Sequence, residues 1–184
     1  MAPTTKLAHI EESNSPGSRR LMEQEVDETE SIKHNEFSGT TLDFPTDTPF
    51  QYEYAMEKFY VRACYGRYYD VILEMFEETG TKRKRGVTVT GTPGKSMFMA
   101  YFFLRYLFEY DNSTVILASY DGDSELTRVL VWKDGQVKDS FRGNVLRLEG
   151  TYAQCPHAHV LLDGPPKFGP EHQQYVVFTS PNEK

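Results

Sequence analysis

The apolar positions along residues 51–184 follow two different periods. Over residues 51–79, and again over Lys95–Tyr110, they recur every three or four residues, which predicts helices, the first of them broken after Gly66. Nearly continuous apolar runs predict buried strands. These runs are Val87–Thr90, Thr114–Ser119, Ala158–Leu162 and Tyr175–Ser180. Because strands and helices alternate, we expect an α/β fold with a mostly parallel sheet.

A β-hairpin interrupts this alternation. Two segments with an alternating pattern, Leu126–Trp132 and Gln136–Ser140, flank Lys133-Asp134-Gly135. Asp-Gly between such segments favours a tight hairpin turn. We therefore predict a hairpin inserted in the sheet, followed by a further short strand over Asn144–Leu148.

The N-terminal part of the chain differs in composition. Residues 1–36 are rich in acidic side chains and poor in large apolar ones, which predicts a disordered arm. Prolines and turn-forming residues in 37–50 predict an extended lead-in. The expected organisation is an acidic arm and lead-in over residues 1–48, followed by one folded domain over residues 49–184.

Charge and cysteine content limit the classes of partner. The formal net charge of −7 argues against a general nucleic-acid-binding surface. Two cysteines far apart in sequence, and no visible secretory signal peptide, predict a reducing, intracellular location. The longest apolar run, Met97–Leu104, is too short to cross a bilayer, so we expect no membrane partner.

The segment after the first predicted strand carries the main candidate chemistry. It reads Gly91-Thr92-Pro93-Gly94-Lys95-Ser96 and leads into a predicted helix. Strand, glycine-rich turn, Lys-Ser and helix is the order that builds a nucleoside triphosphate site. In such a site backbone N–H groups surround the phosphates, the lysine reaches the β- and γ-phosphates, and the hydroxyl helps to hold Mg²⁺.

The spacing of this loop departs from the usual G-x-x-x-x-G-K-[ST] pattern, because only Thr92 and Pro93 separate the two glycines. The loop therefore lacks two N–H donors and up to about 7 Å of chain. Two interpretations stay open at this point. The helix N-terminus still binds a phosphate, or the segment is an ordinary glycine-rich turn with a solvated lysine.

Polar residues at the ends of two later strands extend the candidate site. Asp163 ends the apolar strand HVLLD, the position at which an aspartate holds Mg²⁺ in P-loop NTPases. Gly164 follows it, so no glutamate base stands directly after the aspartate. Ser180 ends the last predicted strand and Asn182 follows it, and either could sense a γ-phosphate, although a plain Ser-Pro-Asn turn is the alternative that the pattern favours.

The order of these motifs resembles that of the NTPase region of Crinkler effectors and the related retrotransposon-hot-spot proteins. The resemblance covers roughly residues 50–184. The segments that carry it are Tyr60–Tyr65, Tyr68–Leu73, VTVTGTPGKSMFMAYFFLRYL, the Trp132–Gln136 hairpin, HVLLDGPP and VVFTSPNEK. The family's loop usually reads G-T-P-G-I-G-K-S, so the Ile-Gly pair is absent from this sequence.

The resemblance implies a three-layer, P-loop NTPase-like α/β domain with ATP and Mg²⁺ as ligands. By position, Lys95 and Ser96 match the Walker A lysine and hydroxyl, Asp163 matches the Walker B aspartate, and Ser180 and Asn182 lie in the motif after the next strand. Several members of this family act as effectors delivered into host cells, often to the nucleus. They continue into a C-terminal domain, so a protein partner or such a domain is expected here.

Three hypotheses for function remain at the level of sequence. The first is a degenerate Crinkler-like ATP-binding domain with weak or no hydrolysis. The second is a non-catalytic interaction module that keeps the fold. The third is a small-molecule kinase, which ranks last because the sequence offers no identifiable acceptor site.

Overall fold

The computed structural model of the chain describes residues 38–45, 47–54, 56–77, 85–91 and 94–180. The described residues form short strands and helices in the order β1 (Thr41–Asp43), β2 (Lys58–Tyr60), α1 (Cys64–Glu77), β3 (Gly86–Val89), α2 (Lys95–Glu109), β4 (Val115–Tyr120), β5 (Leu126–Lys133), β6 (Gln136–Arg142), α3 (Val145–Gln154), β7 (His159–Asp163) and β8 (Gln174–Phe178). Residues 1–37, which include the predicted acidic arm, lie outside the described residues.

A six-stranded sheet in the order β3-β8-β7-β4-β5-β6 forms the centre of the fold. The pairs β3–β8, β8–β7 and β7–β4 are parallel, whereas β4–β5 and β5–β6 are antiparallel. The carboxyl ends of β3, β8, β7 and β4 therefore lie at one edge of the sheet. The chain has an α/β fold with a mostly parallel sheet, as the apolar runs predict.

Apolar side chains cover both faces of this sheet. Alternate residues of β4 point to opposite faces, and Leu117 joins a cluster with Phe98 and Phe102 of α2, whereas Ile116 joins Leu148 of α3 on the other face. Helix α1 packs on the same side as α2, and the two-stranded sheet β1–β2 adds Phe59 to that cluster. Helices on both faces are compatible with a three-layer arrangement.

The predicted hairpin is confirmed. Strands β5 and β6 pair directly, and Asp134 and Gly135 at their turn have φ values of 51° and 73°. A two-residue turn with positive φ at both central positions matches the right-handed twist of the strands, which is why Asp-Gly is favoured there. The four buried strands predicted from the apolar runs are confirmed as β3, β4, β7 and β8. The helix predicted from Lys95 is confirmed as α2.

Two predicted elements are wrong. The described residues of 51–63 are not helical, since β2 lies at 58–60 and pairs with β1. Phe59 in β2 and Val61 just after it are buried at a spacing of two. The single helix α1 then runs without a break through Gly66. The segment predicted as a strand at Asn144–Leu148 begins helix α3 instead, because the Asn144 side chain accepts a hydrogen bond of 2.9 Å from the N–H of Arg147 and caps it.

The lead-in contributes to the structure from residue 38 onward. Strand β1 pairs with β2, with Leu42 opposite Phe59. Thr48 is buried, and its hydroxyl donates to the carbonyl of Pro45 at 2.8 Å. This bond closes a local turn within the segment between β1 and β2.

Arg105 ties helix α2 to helix α1. Its side chain is 8% exposed, and its guanidinium lies 2.8 Å from a carboxylate oxygen of Asp70 and 2.8 Å from one of Glu109. It also stacks 4.2 Å from the ring centre of Tyr69, whose hydroxyl donates to the other oxygen of Glu109 at 2.7 Å. Because a buried ion pair that loses one partner costs several kcal/mol, this network fixes the orientation of α2.

None of the helices within the described residues has the length and apolar character needed to cross a membrane.

Candidate functional site

The turn between β3 and α2 is shaped by two glycines in the left-handed region. Gly91 has φ +87° and Gly94 has φ +88°, a conformation that costs other residues about 1–2 kcal/mol. Gly94 is also tightly enclosed, because a Cβ there would lie 3.2 Å from the hydroxyl oxygen of Tyr65. That hydroxyl donates to the Gly94 carbonyl at 3.1 Å, which anchors the turn to α1.

The N-terminus of α2 opens at this turn without a capping side chain. Gly94 occupies the N-cap position, and its carbonyl accepts the first helical bond, from the N–H of Phe98 at 3.0 Å. The N–H groups of a first helical turn have no partner within the helix and carry a partial positive charge. Lys95 is the first residue of the helix, so its ammonium group adds to the positive end.

Ser96 and Asp163 meet at the carboxyl edge of the sheet. The Ser96 hydroxyl donates to Asp163 Oδ1 at 3.0 Å, and both side chains are buried. The other carboxylate oxygen, Oδ2, accepts the main-chain N–H of Gln51 at 2.8 Å. Gln51 lies in the segment between β1 and β2, so three distant parts of the chain converge on one carboxylate.

Burial raises the pKa of the Asp163 carboxyl above its usual value. The hydrogen bonds from Gln51 and Ser96 and the positive charge of Lys95 oppose this effect by stabilising the ionised form, and they do not cancel it. Asp163 is 1% exposed, which is why removal from water is the largest cause. Lys95 directly precedes Ser96 at the start of α2.

The residue after Asp163 has no room for a side chain. Gly164 has φ +99°, and a Cβ built there would lie 2.4 Å from the carbonyl oxygen of Tyr120 at the end of β4. Its own N–H donates to the Phe178 carbonyl at 3.0 Å, so the backbone is held between two strands. A glutamate base at this position would therefore require β4 and β7 to separate.

The structure brings together some of the predicted site residues and not others. Lys95, Ser96 and Asp163 share one location, next to the turn that contains Gly91 and Gly94. Ser180 is exposed two residues after β8, and its carbonyl accepts from the hydroxyl of Thr179 at 3.2 Å. Thr92, Pro93 and Asn182 lie outside the described residues.

The oxygen atoms of this site suit Mg²⁺, which prefers hard oxygen ligands. The Ser96 hydroxyl and Asp163 Oδ1 provide two such atoms 3.0 Å apart. Among the described residues, no three His, Cys, Asp or Glu side chains gather as a metal cage. The arrangement fits a cation held jointly by one carboxylate, one hydroxyl and ligand phosphates, which is a common environment for Mg²⁺.

Two contacts of the site carry no sequence signal. The bond from Gln51 uses a main-chain N–H, which almost every residue possesses. The bond from Tyr65 to the turn joins residues 29 positions apart through a helix that the sequence predicted with other bounds.

A scan against protein-family models and searches of curated proteins and of solved structures found no significant match to this chain.

Proposed function

We propose that residues 49–184 form a P-loop NTPase-like, Crinkler-like domain that binds ATP with Mg²⁺ and hydrolyses it weakly or not at all. One observation carries the proposal: the buried bond from Ser96 to Asp163 at the N-terminus of α2. It joins the two residues that the resemblance assigns to magnesium, although they lie 67 positions apart in sequence. A plain glycine-rich turn gives no reason for a buried carboxylate opposite a helix N-terminus.

Each group has a defined part in binding. The first-turn N–H groups of α2 and the ammonium of Lys95 would offer complementary charge to an anion. Ser96 and Asp163 would hold Mg²⁺ through the oxygen pair described above. When bound, Mg²⁺ neutralises phosphate charge and bridges the β- and γ-phosphates. The two left-handed glycines allow the backbone to approach a phosphate closely.

Three features support binding without efficient hydrolysis. The loop is two residues shorter than the usual pattern, so fewer N–H groups surround a phosphate. Gly164 excludes a base directly after Asp163, because a Cβ would meet the Tyr120 carbonyl at 2.4 Å. The N–H of Gln51 already occupies Asp163 Oδ2. The same features favour the second candidate, a non-catalytic interaction module on this fold.

Titration calorimetry with Mg·ATP tests the proposal. We expect weak binding by the wild type, and a loss of roughly tenfold or more in affinity for Lys95→Ala, since hydrogen bonds to charged groups contribute about 1.5–3 kcal/mol. Lys133→Ala, an exposed lysine at the β5–β6 turn, is the matched control and should leave binding unchanged. Equal heats for all three proteins, or none at all, would overturn the proposal.

Loop length can be tested separately. Insertion of Ile-Gly after Gly94 restores the usual spacing of the loop, and we expect tighter binding of Mg·ATP in the insertion variant. Phosphate release should stay close to the uncatalysed background in both forms, because Gly164 is unchanged. Tight binding combined with steady turnover by the wild type would show that the shortened loop is fully competent, contrary to the proposal.

A further inference from the structure

One row of residues crosses the whole sheet at its carboxyl edge. Successive register partners are Val89, Phe178, Asp163, Ser119, Arg128 and Arg142, on β3, β8, β7, β4, β5 and β6 in that order. Directly paired residues on neighbouring strands point to the same face of a sheet. Asp163, Arg128 and Arg142 therefore project from one face of the sheet. Neighbouring strands are about 4.8 Å apart, so along the row Arg128 lies about 10 Å and Arg142 about 14 Å from Asp163.

An open cleft of about 570 Å³ covers the half of this row that lies beyond Asp163. Its floor contains Ser119, Thr127, Arg128 and Arg142. Its outer wall is the segment between β1 and β2, which includes Gln51, the residue whose N–H is bonded to Asp163. The cleft and the proposed nucleotide site are therefore neighbours on one face, separated by a single stretch of main chain.

The charged residues of this cleft are only partly paired. Arg128 and Arg142 are direct cross-strand partners, and like charges at such positions destabilise a sheet. Arg128 has Asp47 at 3.3 Å as a counter-charge. Arg142 is exposed and forms no ion pair with another residue in the part of the chain that the structure describes. Glu53 also lines the cleft, so its formal charges balance, but among the described residues neither it nor Asp47 forms an ion pair with Arg142. The Arg142 guanidinium is therefore available to pair with an anion.

The outer wall adds aromatic surface. Phe44, Phe50 and Tyr54 form a cluster with ring centres 5.4 to 5.8 Å apart, and all three line the cleft. Tyr52, also on this wall, is 66% exposed. Aromatic side chains bind planar or apolar groups, and the hydroxyls of Ser119 and Thr127, 2.6 Å apart, add polar atoms at the floor.

We propose that this cleft is a binding site for a small organic anion, in which a phosphate or carboxylate group lies between Arg128 and Arg142 and a ring or apolar body packs on the aromatic wall. The binding itself stands without the nucleotide site. A role as a second ligand beside ATP would rest on the proposed function.

Amide-resolved NMR titration with phenyl phosphate and, separately, with benzoate tests the site. We expect shifts concentrated on residues 44–54 and on the cleft ends of β4, β5 and β6, and the two probes distinguish a phosphate from a carboxylate preference. Arg142→Gln should weaken binding roughly tenfold or more, because it removes a charge-assisted contact. Asp47→Asn should strengthen it severalfold, because a competitor for Arg128 is lost. Arg67→Gln, an exposed arginine on α1, is the control and should bind as the wild type does.

The same titration on Lys95→Ala separates this inference from the proposed function. Binding of either probe in the cleft should persist in that variant, whether or not ATP binding is lost. Shifts confined to residues 94–97 that disappear in Lys95→Ala would place the anion at the helix N-terminus and refute the cleft site. The inference also fails if neither probe binds, or if Arg142→Gln and Asp47→Asn bind as the wild type does.

Discussion

Neutralising Asp163 should stabilise the protein while it removes ligand binding. The carboxylate is 1% exposed, and burial raises the pKa of Asp163 in spite of bonds from Ser96 and Gln51. A raised pKa means that the folded state holds the proton more tightly than the unfolded chain does. The ionised carboxylate therefore lowers the free energy of unfolding, by about 1.4 kcal/mol for each unit by which the pKa is raised.

The sign of the pH dependence follows from the same linkage. Below the unfolded pKa of about 3.9, Asp163 is protonated in both states and its stabilising contribution is complete. As the pH rises through the raised folded pKa, that contribution is lost. Asparagine has nearly the same shape as aspartate and carries no charge. The Asp163→Asn variant should therefore not undergo this loss of stability as the pH rises to 7. Its amide oxygen can accept from Gln51, and the hydroxyl of Ser96 can turn to accept from the amide nitrogen.

Urea unfolding at pH 7 and at acidic pH measures the effect. We expect Asp163→Asn to be more stable than the wild type at pH 7, and the difference to shrink toward zero below pH 4. The exposed Asp111→Asn is the matched control and should stay within about 0.5 kcal/mol of the wild type. A less stable Asp163→Asn at pH 7, or a difference that does not change with pH, would refute the reasoning. Calorimetry on the stabilised variant should show loss of Mg·ATP binding.

Two further predictions concern the ends of strand β7. Burial lowers the pKa of His159 to about 4, so the wild type should lose about 3 kcal/mol of unfolding free energy as the pH falls from 7 to below 4. His159→Phe should remove that part of the loss, and parallel wild-type and variant curves of urea midpoint against pH would contradict this. Gly164→Ala should cost about 3 kcal/mol or more through its left-handed backbone and its contact with the β4 carbonyl, whereas Gly150→Ala, with open space within α3, should stabilise the protein by about 0.5–1 kcal/mol. Thermal unfolding compares the two, and similar effects of both substitutions would show that Gly164 is not sterically required.

The elements that the sequence predicts correctly are those whose signal is local. Strand β4 is apolar at every position because both its faces are covered, and the β5–β6 turn needs positive φ at Asp134 and Gly135. The failed helix over residues 51–63 depended on Met56 and Tyr60, which are 67% and 60% exposed. A strand of three residues is too short for periodicity to outweigh that coincidental spacing.

In the candidate site too, the sequence could predict some contacts and not others. The sequence could pair Ser96 with Asp163, because a helix after one parallel strand and the end of another meet at the same sheet edge. It could not predict the bond from the Gln51 N–H, since a main-chain donor leaves no trace in residue type. The alignment of Arg128 with Arg142 required the strand order and register, which a pattern along one strand does not contain.

Several features at the carboxyl edge of the sheet cost stability, and they lie next to one another. Asp163 is a buried charge, and Arg128 and Arg142 are like charges side by side. A fold selected for stability alone would have a neutral residue at Asp163 and an opposite charge at one of the two arginines. Local costs that coincide with a helix N-terminus and a cleft are typical of a site that binds ligands. An anion would offset the charge of the arginines and a cation that of the carboxylate, so both of the ligands proposed here would reduce these costs.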